Sequence, residues 1–434
     1  MDSQSSTWGK AMGCSDGYSG YGGCDSPDLM SIELAHAIIH KTIVDTVKPI
    51  SEVQSCPLLD SLDRVLAEDI VSSMDVPGYD NSAMDGYAFK YAGLTASTSF
   101  MQIGKSFAGN PYGGIVGEGE CVRIMTGAVI PEAANTVVMQ EKTESNDNRI
   151  TIAADIKKGE AIRLAGSDIA KGSLVLEKGK RLTAIDIGLL ASLGVEAVVV
   201  YRKIKVAIFS TGDELLAAGK AGKKDHIYDS NRPMLLAMLN RLGADTIDLG
   251  IIKDDKALIK QAFELADSQA DCVITSGGVS VGEADYTREI LEEIGTINFW
   301  ELAIKPGKPL AFGCMENSMF FGLPGNPVSA AVTFEQIVTP SLSLMTGCKA
   351  VEKLSLVATA KQQFKKKPGR TDFQRAFCST DESGTLWVES SGTQSSGVLS
   401  CFSHSNCYAV LENQRGNVEV GEKVSIQLFD RLMS

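Results

Sequence analysis

Histidine and tryptophan are scarce, four and three in 434 residues. None of the ten cysteines (Cys14, Cys24, Cys56, Cys121, Cys272, Cys314, Cys348, Cys378, Cys401 and Cys407) forms a CxxC pair. A zinc site therefore has few candidate ligands, and the thiols read as reduced residues of a cytoplasmic protein. No Ser-His or Cys-His grouping supports covalent catalysis. No apolar run reaches the roughly 18 residues that would span a bilayer, and the start, MDSQSSTWGK, has no apolar stretch that would make a signal peptide. No membrane partner is expected. Positive charge is in deficit: 41 Lys plus Arg against 54 Asp plus Glu give a net charge of -13. Without a basic block, nucleic acid is not an expected partner. An anion can bind only where the local field is reversed.

What is present is an ordinary globular composition, 44% apolar and 22% charged, over a length that suits about three domains. Residues 1–27 are rich in Gly, Ser and Tyr, and read as a mobile tail or extension. Order is expected from near Ser31, where Ile32, Ala35, Ile39 and Ile43 share one helical face. A second amphipathic stretch carries Leu58, Leu62, Val65 and Leu66. From Val76 to about Arg163 short apolar runs alternate with turns, which predicts a strand-rich unit. A helix follows at TAIDIGLLASLG, with Thr183 as N-cap, Asp186 at capping-box spacing, Leu182 and Ile187 placed as a hydrophobic staple, and Gly194 as the stop. The strand-rich unit thus reads as an insertion (76–163) in a discontinuous linking domain, 28–75 plus 164–202.

Residues 203–345 alternate strand and helix: KIKVAIFS, YDSNRPMLLAMLNRLG, TIDLGII, DDKALIKQAFELADS, DCVITSGG, YTREILEEIG, KPLAFG, SMFFGLPG and NPVSAAVTFEQIV. This pattern predicts a three-layer α/β domain around a mostly parallel sheet. Ligands bind such sheets beyond the carboxyl ends of the strands. Residues 346–434 return to short strands and turns and predict a β-barrel.

Three loops of the α/β domain carry chemistry. STGDE brings Asp213 and Glu214 to a strand end, where solvated carboxylates are the plainer alternative. TSGGVSVGEAD combines Ser276, Gly277 and Gly278 with Glu283 and Asp285. Its backbone N–H groups suit phosphate, with a tight strand-to-helix turn as the lesser alternative. Asp285 beside a phosphate requires a divalent cation. LPGNP supplies Pro324, Gly325, Asn326 and Pro327, a pattern that helix initiation alone also explains. IKPGKP adds Lys305 and Lys308. Asp85 in DNSAMDG, Asp168 in GSD, and Asp254 beside Asp255 complete the acidic candidates, with Asp255 readable as a helix cap. These residue types fit phosphoryl, nucleotidyl or oxyanion chemistry without naming a substrate.

VPGYDNSAMDGYA, GKSFAGNPY, CVRIMTGAVIPEAANTVVMQE, GSDI, AIFSTGDEL, YDSNR, SGGVSVGEADYT, KPGKP, GLPGNPVSA, GRTDFQR and RGNVEVGE together closely resemble the bacterial molybdopterin molybdenumtransferase family, to whose wider family the gephyrin E domain belongs. The resemblance runs from about residue 29 to the C-terminus. It implies a multidomain α/β protein whose α/β domain is like the molybdopterin adenylyltransferase, and an elongated homodimer with active sites shared across the interface. It implies molybdate and adenylated molybdopterin as substrates, Mg²⁺ as cofactor, and transient contact with the adenylyltransferase. Motif by motif, it gives Asp85, Glu214, Asp285, Asp168 and Asp254 as functional carboxylates, Glu214 and Asp285 as metal ligands, and Thr126 as a cleft residue. Lys305, Lys308, Ser276, Gly277, Gly278, Pro324, Gly325, Asn326 and Pro327 would contact the pterin or its phosphates.

Two positions depart from the pattern. Glu301 stands where the family commonly places Lys, and residues 393–397 read TQSSG where relatives have Gly-Ser-His after the glutamine. Two other functions fit some segments of the chain: ATP-dependent adenylation of molybdopterin, and a gephyrin-like scaffold. The inserted lobe and barrel argue against the first, and the intact carboxylates against the second.

Overall fold

The computed structural model describes residues 29–434, except 154, 223, 279–285, 350–352, 431 and 434. The expected tail, 1–27, lies outside the described residues. The described residues form two compact units: one from residues 29–47, 205–341 and 353–433, the other from 48–204 and 342–349, leaving aside the exceptions just given. Among the described residues no helix is long and apolar enough to cross a membrane, and the described cysteines are free thiols.

In the second unit the chain departs and returns along matched pairs. Val53–Pro57 pairs antiparallel with Ala197–Tyr201, Ile70–Val71 with Leu174–Leu176, and Asn81–Ser82 with Ile162–Arg163. Between the last pair lies the inserted lobe. Its six-stranded sheet runs in the order Thr136–Met139, Gly86–Phe89, Glu120–Ile124, Ser99–Ser106, Arg149–Ile152, Thr143–Asn146. Tyr87, Phe89, Phe100, Val138 and Ile150 form its core.

The helix Ala184–Ser192 starts as its residues dictate. Thr183 and Asp186 close a reciprocal capping box. Gly194 N–H donates to Ala191 O, and Val195 N–H donates to Leu190 O. That double closure ends a helix on a left-handed glycine. Leu182 and Ile187 meet in one apolar cluster with Leu58, Leu66 and Val198. The expected amphipathic stretch at 58–66 is corrected. Leu58–Asp60 is one 3-10 turn, Leu62 is exposed, and Val65 and Leu66 bridge to Arg181 and Val200. Helix-like spacing of four apolar residues here reflects separate contacts.

In the first unit, Ser31 caps the helix Ile32–Thr42, with Ala35, Ile39 and Ile43 buried. The α/β sheet has the order Asp245–Ile252, Lys205–Thr211, Cys272–Ser276, Met319–Leu323, Pro309–Cys314, Thr296–Glu301. The first four strands are parallel and the last two antiparallel. Thr296–Glu301 is a strand that the apolar pattern does not announce, because its side chains are mostly half-buried or exposed. Ala207, Phe209, Phe263, Val273, Ile290 and Phe320 pack sheet against helices. Each such side chain contributes roughly 1.5–3 kcal/mol on burial, alanine less. The helix expected from Tyr228 begins at Asn231, because Ile227–Tyr228 pairs with Leu215–Leu216. The helix from Pro327 runs on through a π-helical turn to Met345.

The C-terminal strands close a barrel. Ser355–Ala360, Leu386–Ser390, Thr371–Thr380, Cys407–Leu411 and Lys423–Leu428 pair in a ring. Ile304–Lys305 adds alongside Thr371–Asp372.

Gly86, directly after Asp85, lies where a Cβ would stand 1.8 Å from the Val138 carbonyl oxygen. Gly86→Ala must therefore push apart a pair of bonded strands in the lobe. A loss of about 3 kcal/mol is expected, the upper end of overpacking costs. The midpoint of urea unfolding checks it.

Candidate active site

The parallel register sets the site. Ser210 lies opposite Ser276, and Ser276 opposite Leu323. The loops following these residues therefore leave the sheet at one level, at the carboxyl ends of the strands. Gly277 and Gly278 have φ of 92° and 66°. Added Cβ atoms would lie 2.8 Å from the Thr211 carbonyl oxygen and 2.6 Å from Thr287 Oγ1. Only glycine fits this approach, and it leaves the backbone of the second loop bare. Asp285 and Glu283 lie outside the described residues.

In the third loop Asn326 occupies the N-cap position and Pro327 the first helical position, as their types predict. The Asn326 side chain makes no capping bond, so helix initiation does not employ it. Asp255, by contrast, caps its helix by accepting from Ala257 and Leu258 N–H.

Carboxylates crowd the first loop. Asp213 N–H donates to Asp254 Oδ2 at 3.4 Å, and Asp254 N–H to Asp213 Oδ1 at 3.3 Å. Partial burial raises the Asp254 pKa above the ordinary value, and the negative charges of Asp213 and Glu214 add to the rise. Glu214 is exposed.

A basic cavity of about 420 Å³ in the same unit is lined by Lys305, Lys365, Lys366, Lys367, Pro368, Arg370 and Asp372. The reading of the chain as lacking a basic block is corrected here: the run KKKPGR is short, but the barrel brings it beside Lys305. Lys305 Nζ lies 3.2 Å from the buried Asp372 carboxylate. Lys366 Nζ donates to the carbonyls of Lys367, Asn413 and Arg415, and burial lowers its pKa. Five cations against one carboxylate leave a local field opposite to that of the chain. Lys308 is paired with Glu301 at 3.2 Å. Glu301 thus neutralises a lysine of the KPGKP segment.

The other departure, 393–397, borders the third loop: Val328 N–H donates to Ser396 O at 3.1 Å. Fully buried Arg375 holds this segment through Ser395 O at 3.2 Å. Gln394 Oε1 accepts from Arg375 N–H, and Gln394 Nε2 donates to Arg375 O, both at 2.9 Å. Local sequence carries no sign of this clamp.

Asp85, Thr126 and Asp168 belong to the other unit. Asp85 Oδ1 accepts from Thr126 N–H at 2.7 Å and from Thr126 Oγ1 at 2.8 Å. These bonds, first the backbone and then the hydroxyl, lower the Asp85 pKa and keep it ionised. Asp168 is exposed, its N–H fixed to Val76 O.

An α/β domain with bare glycine loops, joined to a closed barrel and accompanied by a strand-rich inserted lobe, defines a multidomain α/β protein of the MoeA type. Family profiles agree: residues 30–194 match the MoeA N-terminal region (domain I and II), 207–343 a probable molybdopterin binding domain, and 357–429 the MoeA C-terminal region (domain IV). The chain is 49% identical to the molybdopterin molybdenumtransferase of Haemophilus influenzae over 380 residues, 87% of this chain and 94% of the relative. It is 34% identical to the molybdopterin molybdenumtransferase of a Nostoc species, over 84% of this chain and 86% of the relative. The crystal structure of a molybdopterin biosynthesis moeA protein from Pyrococcus horikoshii OT3 superposes with a TM-score of 0.78 at 28% identity, covering 93% of this chain and all of that one. This chain belongs to the MoeA family of molybdopterin molybdenumtransferases.

The raised Asp254 pKa has a stability consequence. At neutral pH the ionised carboxylate is held against Asp213 and Glu214, which destabilises the fold. Asp254→Asn keeps the acceptor and removes the charge, so it stabilises, on the order of 0.5 kcal/mol for a largely exposed group. The gain is full above the raised folded-state pKa. It disappears as pH falls below the unfolded-state value near 4, where both states are protonated. Thermal melts at pH 7.5 and about pH 3.5 check the sign.

Proposed function

We propose that this chain inserts molybdate into adenylated molybdopterin, cleaving the phosphoanhydride, releasing AMP and forming the molybdenum cofactor. Besides family membership, one observation carries the reading. A single compact unit holds both phosphate-type loops and a basic cavity suited to a tetrahedral dianion. Backbone N–H groups of Gly278, Gly325 and Asn326, in the two loops 276–278 and 324–327, bind the phosphates without needing side-chain charge. Lys305, with Arg370 and the neighbouring lysines, attracts the oxyanion; Lys308 contributes less, since Glu301 holds it. The finer likeness of the α/β domain to the molybdopterin adenylyltransferase belongs to this same reading.

The acidic group fits a hard divalent cation in charge: burial first, and then the negative charges of Asp213 and Glu214, raise the Asp254 pKa. Among the described residues no three ligands converge. Mg²⁺ would then be held as it commonly is, by one or two carboxylates, here Glu214 and Asp285, and by substrate phosphates. Bound there, it would neutralise phosphate charge as the anhydride breaks. Asp254, beside Glu214, would orient water. Asp85, with Thr126 and Asp168, completes the site from the lobe of a second subunit in a homodimer, as the family resemblance implies. The adenylated substrate is supplied by an adenylyltransferase, through transient contact in the cytoplasm.

The test is cofactor formation from adenylated molybdopterin and molybdate, with AMP release followed in parallel. Both are expected. Adenylation of free molybdopterin from ATP, without molybdate insertion, would favour an adenylyltransferase instead. Glu214→Gln should lower turnover by about 100-fold or more, as loss of a charge that stabilises the transition state does, with the melting temperature nearly unchanged.

Sharing of sites is tested by mixing subunits carrying Asp85→Asn with subunits carrying Glu214→Gln. Random pairing makes about half the dimers mixed, each with one intact site, so about a quarter of wild-type activity should return. If mixed dimers form and activity stays at the homodimer level, the sites are not shared.

A further inference from the structure

The segment Tyr228-Asp-Ser-Asn-Arg holds a residue with no role in the chemistry above. Asn231 opens the helix Asn231–Arg241 and is buried. Its Nδ2 donates to Ser276 Oγ at 2.8 Å and to the Gly325 carbonyl oxygen at 2.8 Å. These acceptors lie on different loops, at the ends of the strands Cys272–Ser276 and Met319–Leu323. The loops also meet directly: Gly277 N–H donates to Leu323 O at 3.1 Å, and a Cβ at Gly325 would lie 3.9 Å from Gly277 Cα. One amide therefore joins the two backbones that would bind phosphate.

The other end of that amide is informative. Asn231 Oδ1 is buried with no hydrogen-bond partner, as are Ser210 Oγ, Thr211 Oγ1 and Thr275 Oγ1 at the same strand ends. A buried, unpaired acceptor opposes folding. Packing alone would be served better by an apolar side chain of similar volume. The two donations are what this amide supplies, and both go to ligand loops.

We infer that Asn231 is a positioning residue, whose amide braces the 276–278 and 324–327 loops at a fixed separation so that the N–H groups of Gly278, Gly325 and Asn326 converge on one anionic ligand. The inference rests on the reading of these loops as the phosphate site for adenylated molybdopterin. Without the brace the ligand itself must order the loops, which weakens binding. Once the substrate is bound the loops are in place, and the chemical step proceeds from the same geometry. The effect therefore falls on KM rather than on kcat.

Asn231→Ala should raise KM for adenylated molybdopterin about tenfold, the loss that one or two hydrogen bonds produce, with kcat within about threefold of wild type. Asn231→Asp is isosteric, and turns an acceptor toward the Gly325 carbonyl. It should raise KM at least as much while keeping side-chain volume, so the result does not depend on a cavity. Ser276→Ala removes one acceptor and should have a smaller effect. Combined with Asn231→Ala it should add less than the product of the two single effects, because the residues share one bond. The backbone amide of Gly277, which is bonded to the Leu323 carbonyl, should exchange hydrogen faster in Asn231→Ala while amides of the sheet core do not. Wild-type KM in both Asn231 variants, or strict multiplicativity with Ser276→Ala, would overturn the brace. So would losses of kcat that follow the fall in melting temperature. If the wild-type protein itself fails to convert adenylated molybdopterin, the functional reading fails, and amide exchange then decides alone: unchanged protection at Gly277 overturns the brace, and selective loss there sustains it.

Discussion

The parallel pairing of three strands, Lys205–Thr211, Cys272–Ser276 and Met319–Leu323, is the constraint on which the rest of this structure depends. Because Ser210, Ser276 and Leu323 stand at one level, three loops leave the sheet side by side. A slip of one residue would turn every buried side chain of a strand to the opposite face. Phe209, Val273, Ile274, Phe320 and Phe321 are all buried, so such a slip is strongly opposed and the loops inherit the register of the core. The short strand that follows the edge of this sheet joins the barrel instead. Ile304–Lys305 pairs with Thr371 and Asp372, which sets Lys305 beside a buried carboxylate and beside the basic run that follows the first barrel strand.

Charge is organised locally against the chain average. A net charge of -13 describes how the protein meets solvent and says little about what a bound ion experiences. Asp254 experiences an excess of negative charge, and an anion in the cavity lined by Lys365, Lys367 and Arg370 experiences the reverse. Opposite fields within one unit suit a reaction that brings together a cation-bound phosphate and an oxyanion. The Glu301–Lys308 pair tempers the positive side.

Local signals were legible in the sequence, and non-local ones were not. The capping box of Thr183 and Asp186, the Asp255 cap and the glycine stops depend on neighbours within a few residues, and each stands where its spacing placed it. The alternation of strands and helices from Lys205, and the three loops at their carboxyl ends, were readable for the same reason. Thr296–Glu301 was hidden because it packs at the sheet edge and lacks a clear apolar period. The helical spacing at Leu58 and Leu62 misled, since Leu62 faces solvent. Lys365, Lys366 and Lys367 drew no functional reading from the sequence, and only the barrel brings them beside Lys305. The clamp made by Arg375 and Gln394 spans 19 residues. The Asn231 bonds span 45 and 94. No window of local sequence contains such pairs.

The lobe departs from its host at Asn81–Ser82 and returns at Ile162–Arg163, two segments bonded to each other. As an unstructured loop, the residues between would oppose folding of the host by about 4 kcal/mol of closure entropy. A lobe that folds around its own core, with its ends already adjacent, presents the host with something close to a tight hairpin. The host is thereby relieved of most of that entropic cost, provided the lobe folds first. The order of assembly is then written into the connectivity: the later-translated half of the linking domain finds its partner strands held in place by the segment that separates them in sequence.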